Sequence, residues 1–373
     1  MSKKNTKETV EKLLGMAGIT INGSNEWDIQ VYNDNFYDRV LADTDLALGE
    51  TYMEKWWSTW AVDQFIERLV SADIERCIKR NARFLLDFAS AKLLNRQTRR
   101  RSVEVGKKHY DIGNDLYKRM LDKRMLYTCG YWRNADTLDK AQEDKLDLVC
   151  RKINLQPGME VLDLGCGFGS FAKFAAENYG AKVTGYNISK EQLKLARAMN
   201  EGLDVEFREE DYRNAKGKYD RVVSIGIFEH VGPKNHRTYM GTVHRCLKDD
   251  GIAFIHTIGN NRTTTVSNRW VNRYIFPNGK LPSIAQIGKA MEGLFVMEDW
   301  HNFGEDYDKT LMAWYENFKN AWPELKDRYG DKFYRMWTFY LLSCAGAFRA
   351  RTLQLWQIVM TKTGSSQPEC RLV

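Results

Sequence analysis

The sequence predicts an α/β fold built on a mostly parallel sheet, preceded by a smaller, mainly helical N-terminal domain. Three observations predict it. From about Pro157 short apolar runs alternate with helical patterns, spaced so that a crossover helix fits between successive strands. Up to about residue 100 the pattern is helical instead. Between these regions' extremes, one apolar run leads straight into Gly165, Gly167 and Gly169 and then into a helical stretch, the strand-turn-helix opening of a nucleotide site. With 373 residues, 43% of them apolar, the chain can bury the cores of two or three domains, which excludes a disordered tail or a disulfide mini-fold.

Taken in order, Lys7 to Met16 reads as a helix, Asp28 to Tyr32 as a strand after a Gly-Ser-Asn turn, and Asp63 to Leu94 as helical. The domain boundary is placed near residue 100, giving 1–100 and 101–373. The strands expected next are Met159 to Leu164, Ala181 to Tyr186, Asp204 to Arg208, Asp220 to Gly226 and Gly251 to Thr257. Phe295 to Trp300, a long aromatic-rich helical region and Leu353 to Thr361 complete the same sheet. Within that region Met336 to Phe348, bounded by Arg335 and Arg349, is shorter than the roughly 18 apolar residues of a membrane span and reads as a buried helix.

The net charge of +7 is concentrated. Between Arg76 and Lys108 stand 11 Lys and Arg against Asp87 and Glu104. At helical spacing Arg76, Lys79, Arg80 and Arg83 share one face, opposite Ile74, Ile78, Leu85, Phe88 and Ala89. Such a helix is either the solvated side of a helical domain or a contact for an anionic lipid surface. The seven cysteines are scattered with no C-x-x-C pair or Cys/His cluster, so no metal site and a reduced cytosol are expected. No apolar leader is apparent, and any membrane contact is expected to be peripheral.

In Val161-Leu-Asp-Leu-Gly-Cys-Gly-Phe-Gly-Ser170 the pattern is D-x-G-x-G-x-G. A dinucleotide fingerprint is G-x-G-x-x-G with an acid at the end of the next strand, where this chain has Asn187. Asp163, and Asp211 after the third strand, suit a cationic, phosphate-free nucleoside such as S-adenosylmethionine. A dinucleotide or a plain tight turn are the competing readings.

Seven ordered motifs make the pattern specific: Lys108-His-Tyr-Asp-Ile-Gly-Asn-Asp115, Tyr127-Thr-Cys-Gly-Tyr-Trp132, Gly226-Ile-Phe-Glu-His-Val-Gly-Pro233, His256-Thr-Ile-Gly259, Tyr274-Ile-Phe-Pro-Asn-Gly279, Asp306-Tyr-Asp-Lys-Thr-Leu-Met-Ala-Trp314 and Ser343-Cys-Ala-Gly-Ala-Phe-Arg349. Over nearly its whole length the chain resembles the bacterial cyclopropane-fatty-acyl-phospholipid synthases. The resemblance implies a Rossmann-like class I methyltransferase domain with a seven-stranded, mostly parallel sheet. It implies methyl transfer from S-adenosylmethionine to a cis double bond in a membrane phospholipid, followed by proton loss and closure to a cyclopropane. It also implies a bicarbonate ion held by Cys129, Glu229, His256, Ile258 and Tyr307, and a cofactor surrounded by Tyr127, Thr128, the glycine loop, Asn187, Ile188, Gln192, Asp211 and Tyr212. Cys344 falls at a position the family designates catalytic, although its apolar surroundings in sequence supply no cation to lower a thiol pKa. Thr128 stands where serine is usual and Phe168 where tryptophan is common. A homodimer on the inner face of the membrane is implied as well; the charge would also suit a nucleic-acid methyltransferase, but no N/D-P-P-Y/F/W segment appears, so no nucleic-acid partner is expected.

The chemistry makes its own demands. An alkene has no proton to remove before attack, so the site must supply proximity and a dry, oriented cavity. The carbocation that follows needs negative charge and a base. Glu229 just beyond the fourth expected strand and His256 at the end of the fifth would face the crevice at the carboxyl ends of the sheet. There Glu229 would accept the bicarbonate hydroxyl, with His256 and Tyr307 as donors, while Cys129 has a competing reading as a small buried residue. Methylation of an amine, a methyl branch left on the acyl chain, and a non-catalytic lipid-surface module are the alternatives.

Overall fold

The computed structural model describes residues 3–72, 74, 113–264 and 267–372. The basic helix expected over Asp73 to Leu94 and the domain boundary expected near residue 100 lie outside the described residues. The chain divides into two compact units, one drawn from Met1–Met120, Val266–Pro277 and Leu311–Thr352, the other from Leu121–Thr265, Asn278–Thr310 and Leu353–Val373.

The second unit contains a seven-stranded sheet. Numbered after a two-stranded ribbon of the first unit, β1 (Gln30–Val31) and β2 (Trp57–Ser58), its strands are β3 (Glu160–Leu164), β4 (Lys182–Asn187), β5 (Val205–Glu209), β6 (Tyr219–Ile225), β7 (Leu247–Asn260), β8 (Val296–Asn302) and β9 (Leu353–Thr361). They lie in the order β5-β4-β3-β6-β7-β9-β8. The first five are parallel, and β9 runs antiparallel between β7 and β8. Alternation sends Val161, Val223, Phe254 and Val359 into one apolar layer and Leu162, Val222, Ile255 and Ile358 into another, so helices cover both faces. The expected strands are all present. β7 alone runs well past its apolar run, because its pairing with β9 continues to Asn260↔Leu353.

Two helices of this unit matter most for the site. α5 (Leu138–Lys152) starts at Thr137, whose side chain accepts from Lys140 N, and ends on Arg151 and Lys152, which complement the helix dipole. α6 (Ser170–Tyr179) follows the glycine loop and stops at Gly180 in the left-handed region (φ +63°).

In the first unit, α1 (Lys3–Gly15), α2 (Asn35–Met53, broken at Thr44) and α3 (Val62–Ser71) are joined by α4 (Asn114–Met120). The helical stretch Glu305–Arg349, interrupted at Gly330, passes from the second unit into the first at Leu311. The two arginines that bound its apolar run are both bonded within the first unit: Arg335 to the carbonyls of Tyr52 and Trp57, Arg349 to Asp63 at 2.7 Å. Phe339 packs among Tyr52, Trp57 and Trp270. The strand expected over Asp28 to Tyr32 is only the two residues of β1, paired with β2. Among the described residues no helix is long and apolar enough to cross a membrane, and no group of His, Cys, Asp or Glu is placed to hold a metal ion.

Candidate active site

The glycine loop leaves β3 with Gly165, Gly167 and Gly169 all at positive φ (+86°, +54° and +76°). A Cβ on Gly165 would collide with the Ile227 side chain, and one on Gly169 would lie 2.6 Å from Phe207, whereas nothing lies within 4 Å of the Cβ position at Gly167. The first and third glycines therefore pack the loop, and the second leaves open space over it for a ligand. Asn187, at the end of β4, braces the loop by donating to Gly167 O (3.2 Å) and to Gln192 Oε1 (2.9 Å). Ile188 beside it is exposed. Asp211 accepts from Arg213 N at 2.9 Å and so caps the turn carrying Tyr212, which packs on Tyr239. Asp163 is buried on β3, and burial pushes its carboxyl up to about 7, with Lys145 pulling the other way.

The segment holding Tyr127, Thr128 and Cys129 is fixed from two sides. From α5, Gln142 Nε2 donates to Thr128 O (2.7 Å) and Lys145 Nζ donates to Thr128 Oγ1 (2.8 Å). From the start of the Glu305–Arg349 stretch, Thr310 Oγ1 accepts from Gly130 N (3.0 Å) and Trp132 Nε1 (2.9 Å), while Asp306 accepts from Trp132 N (2.8 Å). Cys129 is thereby sealed in, its Sγ 3.8 Å from Thr310 Oγ1, and burial pushes its thiol well above the ordinary range. Tyr307 is buried on the turn between Asp306 and Thr310.

Glu229 sits on the short helix Phe228–Val231 after β6 and is 6% exposed. Its Oε1 accepts from Ile258 N at 2.6 Å. Burial raises its carboxyl to about 7, against hydrogen bonds from the backbone and from the Thr257 side chain. His256, two residues before Ile258 on β7 and 1% exposed, has Nδ1 3.4 Å from Gln357 Nε2. Burial holds its imidazole well below the ordinary range, hence neutral at pH 7. Among the described residues neither Glu229 Oε2 nor His256 Nε2 has a hydrogen-bond partner. Buried polar atoms are rarely left so, and a small ion that accepts from an imidazole N–H and donates to a carboxylate fits the pair.

Cys129, Glu229, His256, Ile258 and Tyr307 thus belong to one unit together with the cofactor loop. Cys344 belongs to the other, where burial pushes its thiol up to about 12. The sequence reading missed Gln142, Lys145, Thr310 and Gln357 as site residues. Gln142 and Lys145 did leave a signal, since they lie in phase with Leu138, Ala141 and Val149 on the buried face of α5.

Against known proteins, residues 97–358 match the family model described as mycolic acid cyclopropane synthetase. The chain is 52% identical over 351 residues to the cyclopropane-fatty-acyl-phospholipid synthase of Escherichia coli (strain K12), covering 94% of this chain and 92% of that one. Among solved structures, the cyclopropane synthase MmaA2 from Mycobacterium tuberculosis superposes with a TM-score of 0.64 at 29% identity, over 69% of this chain and 98% of that one. The mycolic acid cyclopropane synthase CmaA1, complexed with SAH and CTAB, gives 0.63 at 29% identity, over 68% and 96%. With a family model matching most of its length and a sheet order to suit, the chain belongs to the mycolic acid cyclopropane synthetase family and has the fold of the S-adenosylmethionine-dependent methyltransferases.

Proposed function

We propose that this chain is a cyclopropane-fatty-acyl-phospholipid synthase, carrying a methyl from S-adenosylmethionine to the cis double bond of a phospholipid acyl chain and removing a proton so that a three-membered ring closes. The observation that carries the proposal is the buried pair Glu229 Oε2 and His256 Nε2, unpartnered among the described residues of a unit that also holds the cofactor loop. The 52% identity to the Escherichia coli synthase, over nearly the full length of both chains, supports the choice of substrate.

S-adenosylmethionine, when bound, supplies an electrophilic methyl. The residues of the chain bind and orient: the open side of Gly167, Asn187 with Gln192, and Asp211 with Tyr212 form its wall. A bicarbonate ion fits the base position. Glu229 Oε2 would accept its hydroxyl hydrogen, and His256 Nε2 would donate to it in the tautomer that Gln357 Nε2 favours by facing Nδ1. Burial of Cys129, Glu229 and His256 excludes water from the carbocation stage. Access to the lipid is peripheral, at the cytoplasmic face of the membrane, and the basic run of residues 76–108 supports an anionic surface as the docking target. The enzyme acts as a homodimer, a reading supported by the family resemblance.

Incubation with unsaturated phospholipid vesicles and labelled S-adenosylmethionine tests the reading. Acyl chains should become heavier by one CH2, saturated chains should not react, and depleting carbonate should slow turnover. Label found on an amine, or a methyl branch in place of the ring, overturns it.

A further inference from the structure

Lys145 is a buried cation that the reaction described above does not use. Its side chain is 0% exposed, and lysine is almost never fully buried unless it is paired. Among the described residues no carboxylate forms an ion pair with it, and its one hydrogen bond is the 2.8 Å contact to Thr128 Oγ1. Asp122 and Asp163 are near enough to act on it through space. The oxygens of Asp122 are taken by the backbone N–H groups of Arg124 (2.9 Å) and Leu126 (2.8 Å). Burial draws the ammonium pKa down to about 8, so it remains protonated at pH 7.

Two consequences follow from the inventory of donors and acceptors. An ammonium has no lone pair, so Thr128 Oγ1 must accept, and the single hydroxyl hydrogen of Thr128 is left to donate to another acceptor. The hydroxyl is also aimed. Gln142 holds the Thr128 carbonyl at 2.7 Å, and the threonine methyl lies against Gly226, where a Cβ would come within 2.6 Å of it. A fixed hydroxyl donor backed by a buried positive charge is a receptor for a carboxylate.

We propose that Lys145 is a positioning residue of the cofactor site, which makes Thr128 donate its hydroxyl hydrogen to the carboxylate in the methionine part of S-adenosylmethionine and lends that carboxylate a positive charge. This rests on the reading of the glycine loop as an S-adenosylmethionine site. Placement on the methionine part follows from Asp163, which is buried on the loop's own strand; of the two carboxylates near Lys145, Asp122 has its oxygens taken by backbone N–H groups and Asp163 is the one beside the loop. The zwitterionic end of the cofactor needs one group of each sign.

Calorimetric titration of the full chain with S-adenosylhomocysteine and with its decarboxylated analogue tests the proposal. In Lys145→Met the affinity for S-adenosylhomocysteine should fall about tenfold or more, as expected for a lost charge-assisted contact, while that for the decarboxylated analogue changes less than about twofold. Thr128→Val should behave in the same way, and the double variant should be no weaker than the worse single one. In turnover assays the loss should sit in KM for S-adenosylmethionine and vanish at saturating cofactor. Should Lys145→Met fail to fold, Thr128→Val carries the same two-ligand comparison. Equal weakening of both ligands would assign Lys145 a merely structural role, and a fall in kcat with both affinities unchanged would assign it to the base anion; either overturns the proposal. A wild-type protein that binds neither ligand overturns the cofactor reading itself.

Discussion

Glu229→Gln should make the protein both slower and more stable, and the size of the second effect can be worked from the structure. The carboxyl is buried and its pKa stands at about 7 in the fold, against 4.5 when unfolded. A carboxyl raised in this way favours the fold while protonated, and that advantage is lost as pH rises through the folded pKa. Relative to low pH, the fold is therefore disfavoured by about 1 kcal/mol at pH 5.5, where only the unfolded carboxyl is ionised, and by about 3 kcal/mol at pH 8.5, where the buried one is ionised as well. The amide does not titrate. Its advantage over the wild type should accordingly grow by about 2 kcal/mol between those two pH values, with the buried histidines common to both proteins cancelling from the comparison. The amide must turn its oxygen to Ile258 N–H, which leaves an NH2 group where Oε2 offered an acceptor. A base held by that acceptor is lost, and turnover should drop by about a hundredfold or more. Urea unfolding at the two pH values, in carbonate-depleted buffer so that no bound anion stabilises the wild type, together with a vesicle assay, makes the measurement. An identical stability difference at both pH values would refute the buried-carboxyl argument, and turnover within threefold of wild type would refute the role.

Three further outcomes are expected. Gly165→Ala places a Cβ into Ile227 at a φ of +86°, so S-adenosylhomocysteine should no longer raise the melting temperature of any folded variant. Thr310→Val leaves Gly130 N–H and Trp132 Nε1–H without their acceptor, at about 1–3 kcal/mol each, which equilibrium unfolding can read directly. Cys344, its thiol pushed up to about 12, should resist iodoacetamide at pH 8 in the native protein and react only on unfolding; rapid native labelling would instead support the role of nucleophile.

What was legible in the sequence followed from locality. β3, β4 and β6 each carry a short apolar stretch between turns, β5 alternates Val205 and Phe207 with charged residues, and the glycine loop carries its geometry in adjacent residues. The polar start of β7, Leu247 to Asp250, carries no such run: it is extended partly because Leu247 pairs with Tyr219, a partner far away in sequence. β1 and β2 are too short to show a period. In the site, Glu229 and His256 could be singled out by their strand-end positions and the family motifs. Thr310 could not, because its part is to accept from Gly130 and Trp132, some 180 residues earlier in the chain. Nor does any local pattern reveal that Leu311–Thr352 belongs with the N-terminal helices.

That last feature bears on inheritance. The chain passes between its two units at residues 120, 265, 277, 310 and 352, so no single cut of the gene separates them. Removing the N-terminal helices strips Tyr52 and Trp57 from Phe339, and Gly49 from Trp270, and leaves large aromatic rings facing water on segments that stay behind. Such a truncation should aggregate. A shortened chain would stay dispersed only if the newly bared rings, those at positions 270 and 339 first, were replaced by polar side chains in the same step.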